Sequence, residues 1–562
     1  MGKPMPVGVE DFEKLITEEY YYVDKTLFIK EILDQKADVN IFTRPRRFGK
    51  TLALSMLKYF FEDAYDWRGN KQDYSELFAD TEIVKTGDTY LKHMGKYPVI
   101  SLTLKSGKQS SFDDCIRALK NSLAGEFRRH SFIMQEGPWT KREKEKFEAY
   151  MDEEMEDDSY KDSLKFLSEC LCKWYDKKVI ILIDEYDVPL EGAYNYGFYE
   201  QMVDFIRGLF ESTLKTNQFM YFAVITGCLR ISKESIFTGL NNPDINSILS
   251  ANYGEFFGFT DGEVHAMCKE YDLEDKYPEM KEWYNGYLFG GANVYNPWSC
   301  IKYIKDHMIE RDYFPEAYWV NTSSNAIVKN LIYYADEEQK QAVENLIAGG
   351  TITIPVHEDI TYDEVYENSD NLWNFMFFTG YFRKVKEHFV DTQRYVTLKI
   401  PNKEVEHIYK TKVLSWFEAR VREMDRTALF TSVINGDTAL FTKELQAILK
   451  TTISFNDYYE NFYHGFVAGV LTGMKDYVVK SNREGGEGRS DIFIKPIDRE
   501  EVAFVLELKV AESLAQLQGK AEEAIRQIKD RNYEQELLDD GYIKTKRYGI
   551  AFFKKNCLVI SM

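Results

Sequence analysis

Apolar residues along this chain fall into a few short continuous runs, separated by longer stretches in which they recur every three or four positions. Runs of the first kind predict strands buried on both faces, and the second spacing predicts amphipathic helices. The first run, Val39-Asn-Ile-Phe-Thr43, is followed by a helical pattern of Leu52, Leu54, Met56, Leu57, Phe60 and Phe61. The second, Tyr97–Leu104, precedes a helix from Phe112 to Phe127. Residues 135–165 are charged and weakly patterned and read as an insertion. The third run, Val179–Ile183, is apolar throughout, and the fourth, Tyr221–Thr226, ends in Gly227. Apolar strands alternating with helices specify a parallel sheet covered on both faces, here over residues 1–260. Residues 261–450 read as mainly helical with a few strands such as Tyr395–Ile400. Beyond them, residues 451–562 read as a small α/β domain. Its elements are a helix Tyr458–Thr472, a strand Tyr477–Lys480, a Gly-rich turn at 484–490, strands Ser490–Ile494 and Val502–Leu508, a helix Ser513–Lys529 and a last strand Arg547–Phe553.

Length agrees with this division, since 562 residues fit three or four domains of roughly 100–200 residues each. A net charge of -21 excludes a protein that coats nucleic acid over its whole surface, so any such contact is local. The acidity lies upstream, as in the solvated run Asp152–Asp158, whereas residues 475–562 are near neutral. Seven cysteines, an odd number without a CxxC pair, suggest neither a disulfide framework nor a zinc ribbon. Reduced thiols imply the cytoplasm. The N-terminus has no apolar signal segment and no window reaches 18 apolar residues, so no membrane partner is expected.

Chemistry enters at the end of the first strand. Arg44-Pro-Arg-Arg-Phe-Gly-Lys-Thr51 carries the second half of the phosphate-binding loop G-x-x-x-x-G-K-[ST] between a strand and a helix, the context this motif requires. Gly49 admits a close backbone approach to phosphates, and helix-start N–H groups bind their oxygens. Lys50 is expected to reach the β/γ-phosphates and Thr51 to ligate Mg²⁺. Arg46, Arg47 and Phe48 complete the loop, while Arg44 stands where the first glycine belongs. The third strand ends in Asp184-Glu185. This places Asp184 for the Mg²⁺ shell and Glu185 to polarise an attacking water, with Asp187 a further acid nearby. After the fourth strand, Thr226 and Arg230 are candidate γ-phosphate sensors; an arginine here either acts in cis on the nucleotide or is a surface loop residue. These features specify a P-loop ATPase with ATP and Mg²⁺ as cofactors.

The chain resembles the AAA-ATPase-like proteins common in anaerobic gut bacteria, which carry a C-terminal PD-(D/E)XK nuclease-like domain. The resemblance rests on Tyr22–Thr26, Arg44–Thr51, Leu182–Asp187, Thr226–Asn242, Glu282–Tyr287 and Val294–Trp298. It implies that Arg44 is the family's own loop variant and that Tyr22–Thr26 lies near the nucleotide. Likeness to signal-transduction ATPases implies a winged-helix-like module at the start of the middle region.

In the last domain, Asp491 on one strand and Glu507-Leu-Lys509 on the next give the PD-(D/E)XK pattern of a restriction-endonuclease-like fold. Strand alternation puts Glu507 and Lys509 on one face. Asp491 and Glu507 are expected to hold Mg²⁺ through hard oxygens, with Lys509 steadying negative charge. Glu460, four residues before His464 on a helix, matches the acid this class supplies from its first helix, and Gln527 and Tyr533 follow the core. Near-neutral charge argues against tight unassisted duplex binding. Two functions stay open. One is an ATP-regulated nuclease acting on DNA or RNA. The other is a switch or scaffold whose ATP state sets homo-oligomerisation or partner binding while the nuclease-like domain binds without cutting. A motor or helicase ranks last, since no further helicase motif set is present.

Overall fold

The computed structural model describes residues 2–562 except 67, 216, 230–235, 238–242, 320–336, 359, 367, 412–424, 451–459 and 482–491. The chain forms two compact units, residues 1–325 with 351–408, and residues 326–350 with 409–562.

The first unit is built on a five-stranded sheet of β1 (Val39–Thr43), β2 (Val99–Thr103), β3 (Val179–Asp184), β4 (Met220–Gly227) and β5 (Asp244–Asn246), in the order β2-β3-β4-β1-β5. Every pairing is parallel. Parallel strands need long crossovers whose helices bury both sheet faces, and β1 and β3 are accordingly buried at every residue. The register aligns Thr43 with Gly227 and Thr103 with Asp184, so the motif-bearing strand ends share one edge. Of the crossover helices, Lys50–Phe61 follows β1 and Phe112–Arg129 follows β2. The latter begins on Ser111, whose side chain caps Asp114, and runs from acidic to basic residues, which suits the helix dipole. The charged stretch that reads as an insertion holds a helix, Lys141–Met151, with a Thr140–Glu143 capping box and two buried aromatics, Phe147 and Tyr150. Both rings pack on Phe127.

The same unit continues through β6 (Phe259–Thr260), β7 (Tyr287–Phe289) and β8 (Ala292–Tyr295), which form a small antiparallel sheet. Helices Asp261–Glu270, Tyr277–Tyr284 and Pro297–Ile309 pack around it on an aromatic core that includes Tyr284, Tyr295 and Tyr303. It then adds β9 (Ile352–Pro355), helix Ser369–Phe378, and the hairpin β10 (Arg383–Val390) and β11 (Gln393–Lys399), with β11 central in a three-stranded antiparallel sheet.

The second unit holds β12 (Tyr477–Ser481), β13 (Ile492–Pro496), β14 (Ala503–Val510), β15 (Thr545–Phe553) and β16 (Asn556–Ser561), paired in sequence order. Only β14 and β15 run parallel, and helix Leu517–Asp530 makes the crossover that a parallel pair demands. The expectation that Arg547–Phe553 is the last strand is corrected by β16. A tight turn at Lys554, in the left-handed region, returns the chain antiparallel. Helices Thr427–Asn435 and Thr438–Lys450 pack on this sheet through Tyr548 Oη to the Val433 carbonyl at 2.7 Å and Val559 N–H to Thr442 Oγ1 at 3.0 Å. Among the described residues no helix is long and apolar enough to cross a membrane.

Candidate functional site

The loop between β1 and helix Lys50–Phe61 turns sharply because Arg47 and Gly49 both lie in the left-handed region, at φ 70° and 83°. Only glycine adopts that conformation without cost, which explains Gly49. Strain at Arg47 is of the kind stored at binding loops. Lys50 folds back over the loop, its Nζ donating to the carbonyls of Arg44 (2.9 Å) and Pro45 (3.1 Å), with the Cys228 thiol at 3.7 Å. Its ammonium thus stands inside the turn of the loop.

Beside it runs a chain of oxygens. Thr51 Oγ1 donates to Asp184 Oδ2 at 2.7 Å, and Thr226 Oγ1 donates to the other oxygen, Asp184 Oδ1. Thr51, Asp184 and Thr226 belong to three separate stretches of sequence, and the sheet register brings both hydroxyls onto the Asp184 carboxylate. Glu185 comes next, also left-handed at φ 53°. Burial and then the neighbouring Asp184 charge raise its carboxyl above the ordinary range. Asp187 has a different position. It is 2% exposed, and its Oδ2 accepts the N–H groups of Cys228 (2.9 Å) and Leu229 (3.2 Å), so it ties down the turn after β4. Gly227 is required there, since a Cβ would fall 2.4 Å from the Tyr186 ring. Arg230 lies outside the described residues.

The three arginines of the loop part company. Arg44 is fully buried and donates to the carbonyls of Thr43 (2.9 Å) and Asn246 (2.7 Å), between the rings of Phe257 and Phe289. Burial pushes its guanidinium down to about 9. Phe48 is likewise core, packed on Tyr287 and Phe289. Arg46 pairs with Glu191, which also meets Lys108 at 3.3 Å. The Arg46 carbonyl accepts the Trp319 indole N–H at 3.3 Å. Arg47 lies over the Trp298 ring at 4.5 Å and reaches Glu10 at 3.7 Å.

In the second unit, Glu507 and Lys509 sit on β14 with the predicted alternation, Lys509 Nζ lying 3.0 Å from Glu507 Oε1 and Glu507 1% exposed. Gln527 Nε2 donates to Tyr533 Oη at 3.3 Å. His464 is buried in helix Glu460–Leu471. Asp491 and the side chain of Glu460 lie outside the described residues; Asp491 immediately precedes β13, whose Ile492 pairs with Leu506, the neighbour of Glu507.

Comparison with known families bears directly on both sites. Residues 6–237 match the family model described as "Predicted AAA-ATPase", and residues 458–562 match that of the PD-(D/E)XK nuclease superfamily. The chain joins an AAA-ATPase-like domain to a PD-(D/E)XK nuclease superfamily domain. A protein of Azotobacter chroococcum mcd 1, named "Uncharacterized protein in vnfD 5'region", is 25% identical over 558 residues, which covers 94% of this chain and 93% of its own.

The AAA-ATPase-like domain has more at its site than its motifs announce. A cleft of about 330 Å³ opens beside the phosphate loop and is lined by Lys50, Thr51, Glu185, Lys105 and Lys108 together with Tyr22, Val23, Met56, Phe259 and Trp298. Its size is that of a small-molecule site. Lys105, Lys108 and Glu191 went unread because each is a lone charge without a spacing rule. A usable signal for Glu191 was its isolation among buried positions of helix Val188–Tyr196.

Proposed function

We propose that the AAA-ATPase-like domain binds ATP with Mg²⁺ and hydrolyses it, and that the nucleotide state governs a metal-dependent nuclease domain acting on nucleic acid. The convergence of Lys50, Thr51, Asp184 and Thr226 at one sheet edge carries the first half. The ion fits the residues present: Thr51 and Asp184 offer hard oxygen donors next to a helix start, the donor type Mg²⁺ takes beside phosphates. A Mg²⁺ held there by Thr51 and Asp184 would supply neutralisation of developing phosphate charge. Lys50 holds the terminal phosphates, Thr226 keeps the Asp184 carboxylate oriented, and Glu185 takes the proton of the attacking water.

Glu185→Gln should therefore leave ATP binding intact and lower turnover by about 10²–10³-fold, the scale of a lost acid–base group with its positioning. Because burial raises the Glu185 carboxyl, its basic form is lost as pH falls, and at a higher pH than for an ordinary glutamate. The acid limb of the wild-type rate profile should show this, and the variant should lack it. Normal turnover by Glu185→Gln would remove Glu185 from this role. Asp187 is a poor substitute, its carboxylate already holding two backbone N–H groups.

For the nuclease half, the pairing of Glu507 and Lys509 on β14 supports a cutting site, in which Glu507 with Asp491 and Glu460 would hold the metal and Lys509 would steady charge at the phosphate. The test is cleavage of single- and double-stranded DNA and RNA with Mg²⁺ or Mn²⁺, with and without ATP. Wild type is compared with Asp491→Ala/Glu507→Ala. Cutting should vanish in the double variant and change with ATP. Absence of cutting by wild type that binds ATP would instead favour the switch or scaffold. That second reading draws on one observation, the anchoring of Arg44 and Phe48 in the residues that follow the sheet, which ties loop geometry to a neighbouring module.

A further inference from the structure

The cleft that holds the phosphate loop is also lined by apolar and aromatic side chains, which have no phosphate chemistry of their own. These side chains come from several places in the sequence: the N-terminal stretch with Pro6, Val9 and Leu15, the segment Tyr21–Lys25, Met56 on the helix after the loop, and Phe259 with Pro297 and Trp298 from beyond the sheet. These walls are braced. Lys25 Nζ is held by both oxygens of Glu263 (2.6 and 2.7 Å) and by the Glu255 carbonyl at 2.7 Å. Glu263 is itself fixed by the Thr260 N–H at 2.7 Å. Tyr22 Oη accepts the Lys25 N–H at 3.1 Å. Lys25 is thus a strut between two walls and not a phosphate ligand.

Trp298 is oriented by its indole N–H, which donates to the Tyr318 carbonyl at 3.3 Å. Its ring carries the Arg47 guanidinium at 4.5 Å. Among the described residues the other partner of Arg47 is Glu10, at 3.7 Å, and both side chains are about one-third or more exposed, at 34% and 45%. Arg47 is therefore lightly held, on a left-handed backbone, over the indole of Trp298. A nucleoside triphosphate brings a polyanion beside this guanidinium and an aromatic ring for the indole.

We propose that the apolar part of this lining forms a nucleobase site in which Trp298 is the stacking platform, and that Arg47 covers the indole until a nucleotide draws the guanidinium to the phosphates. The proposal rests on the nucleotide reading given above and adds the base-recognising residues to it. Base–aromatic stacking tolerates any base, since every base has a π face, so Trp298 contributes affinity and the braced walls set which base fits.

The test uses the full chain with Mg²⁺ and two ligands, ATP and inorganic tripolyphosphate, titrated calorimetrically. Wild type should bind ATP about tenfold or more tighter than tripolyphosphate. Trp298→Ala should lose most of that advantage while binding tripolyphosphate as wild type does, and Trp298→Phe, which keeps a ring, should retain part of it. ATP should change tryptophan emission in wild type but much less in Trp298→Phe. Arg47→Gln should weaken tripolyphosphate more than ATP, because the variant no longer covers the indole. Equal wild-type affinity for both ligands would overturn the base site and leave the nucleotide reading standing. So would equal loss of both ligands in Trp298→Ala and Trp298→Phe. Failure of wild type to bind either ligand would overturn both readings together.

Discussion

Lys50→Ala abolishes measurable ATP turnover in the expected outcome, with a fall of at least about 10²–10³-fold, the effect of deleting one preorganised donor from a phosphoryl-transfer site. The reason is visible before any ligand is considered. Lys50 Nζ is held inside the loop by two carbonyls, so its charge is already placed and loses little freedom when phosphates arrive. No other described lysine bonds the loop from within; Lys105 and Lys108 stand at the cleft wall, paired with Glu10 and Glu191. Phosphate-release kinetics and ATP calorimetry check this. Wild-type turnover in a highly purified variant would sink the assignment. The variant also removes two hydrogen bonds from the loop, so its thermal midpoint should fall slightly, and Lys50→Met separates that structural effect from the lost charge by keeping the stem.

The second large effect concerns stability. Arg44→Gly restores the glycine of the usual loop pattern, and a motif-based view would expect it to be harmless. The structure argues the opposite. Substitution removes a fully buried side chain, two charge-assisted hydrogen bonds and two ring contacts, and it adds backbone freedom. Against this stands relief of the cost of burying a cation, the same cost that lowers the guanidinium to about 9. Cavity formation and lost bonds outweigh it, giving a net loss of about 3 kcal/mol. Arg44→Met keeps most of the volume and relieves the buried charge, so it should cost less. Thermal melts of the three proteins should rank wild type, Met, then Gly. A Gly variant as stable as wild type would show that Arg44 only fills space that the loop can close by itself.

The central sheet was legible because its strands are doubly buried, and a doubly buried strand writes itself as an unbroken apolar run. β1 has the bounds read from sequence, and β3 differs by one residue, Asp184. The edge strand β5 escaped because it is three residues long and only partly buried, too short for periodicity to register. The site divides in the same way. The positions of Lys50, Thr51 and Asp184 were readable because a local turn or strand end fixes where they stand. The burial of Arg44 and Phe48 was not, because it depends on Asn246, Phe257, Tyr287 and Phe289, some 200 or more residues further along. Trp298 and Glu191 escaped for the same reason: their relation to the loop arises only through tertiary contact. In the C-terminal unit, the alternation of Glu507 and Lys509 followed from strand geometry alone.

The anchoring of the phosphate loop also bears on how the molecule can be divided. A fragment ending at residue 237, the limit of the AAA-ATPase-like match, would include every motif residue up to Thr226. It would lose β5, which pairs with β1, both rings that sandwich Arg44, and the two aromatics under Phe48. Such a fragment would carry an unpartnered Arg44 and an unsheltered Phe48 into water at the loop proposed to grip phosphates. The smallest piece with a competent loop is therefore set by where Arg44 and Phe48 find their partners, and it extends at least through Phe289.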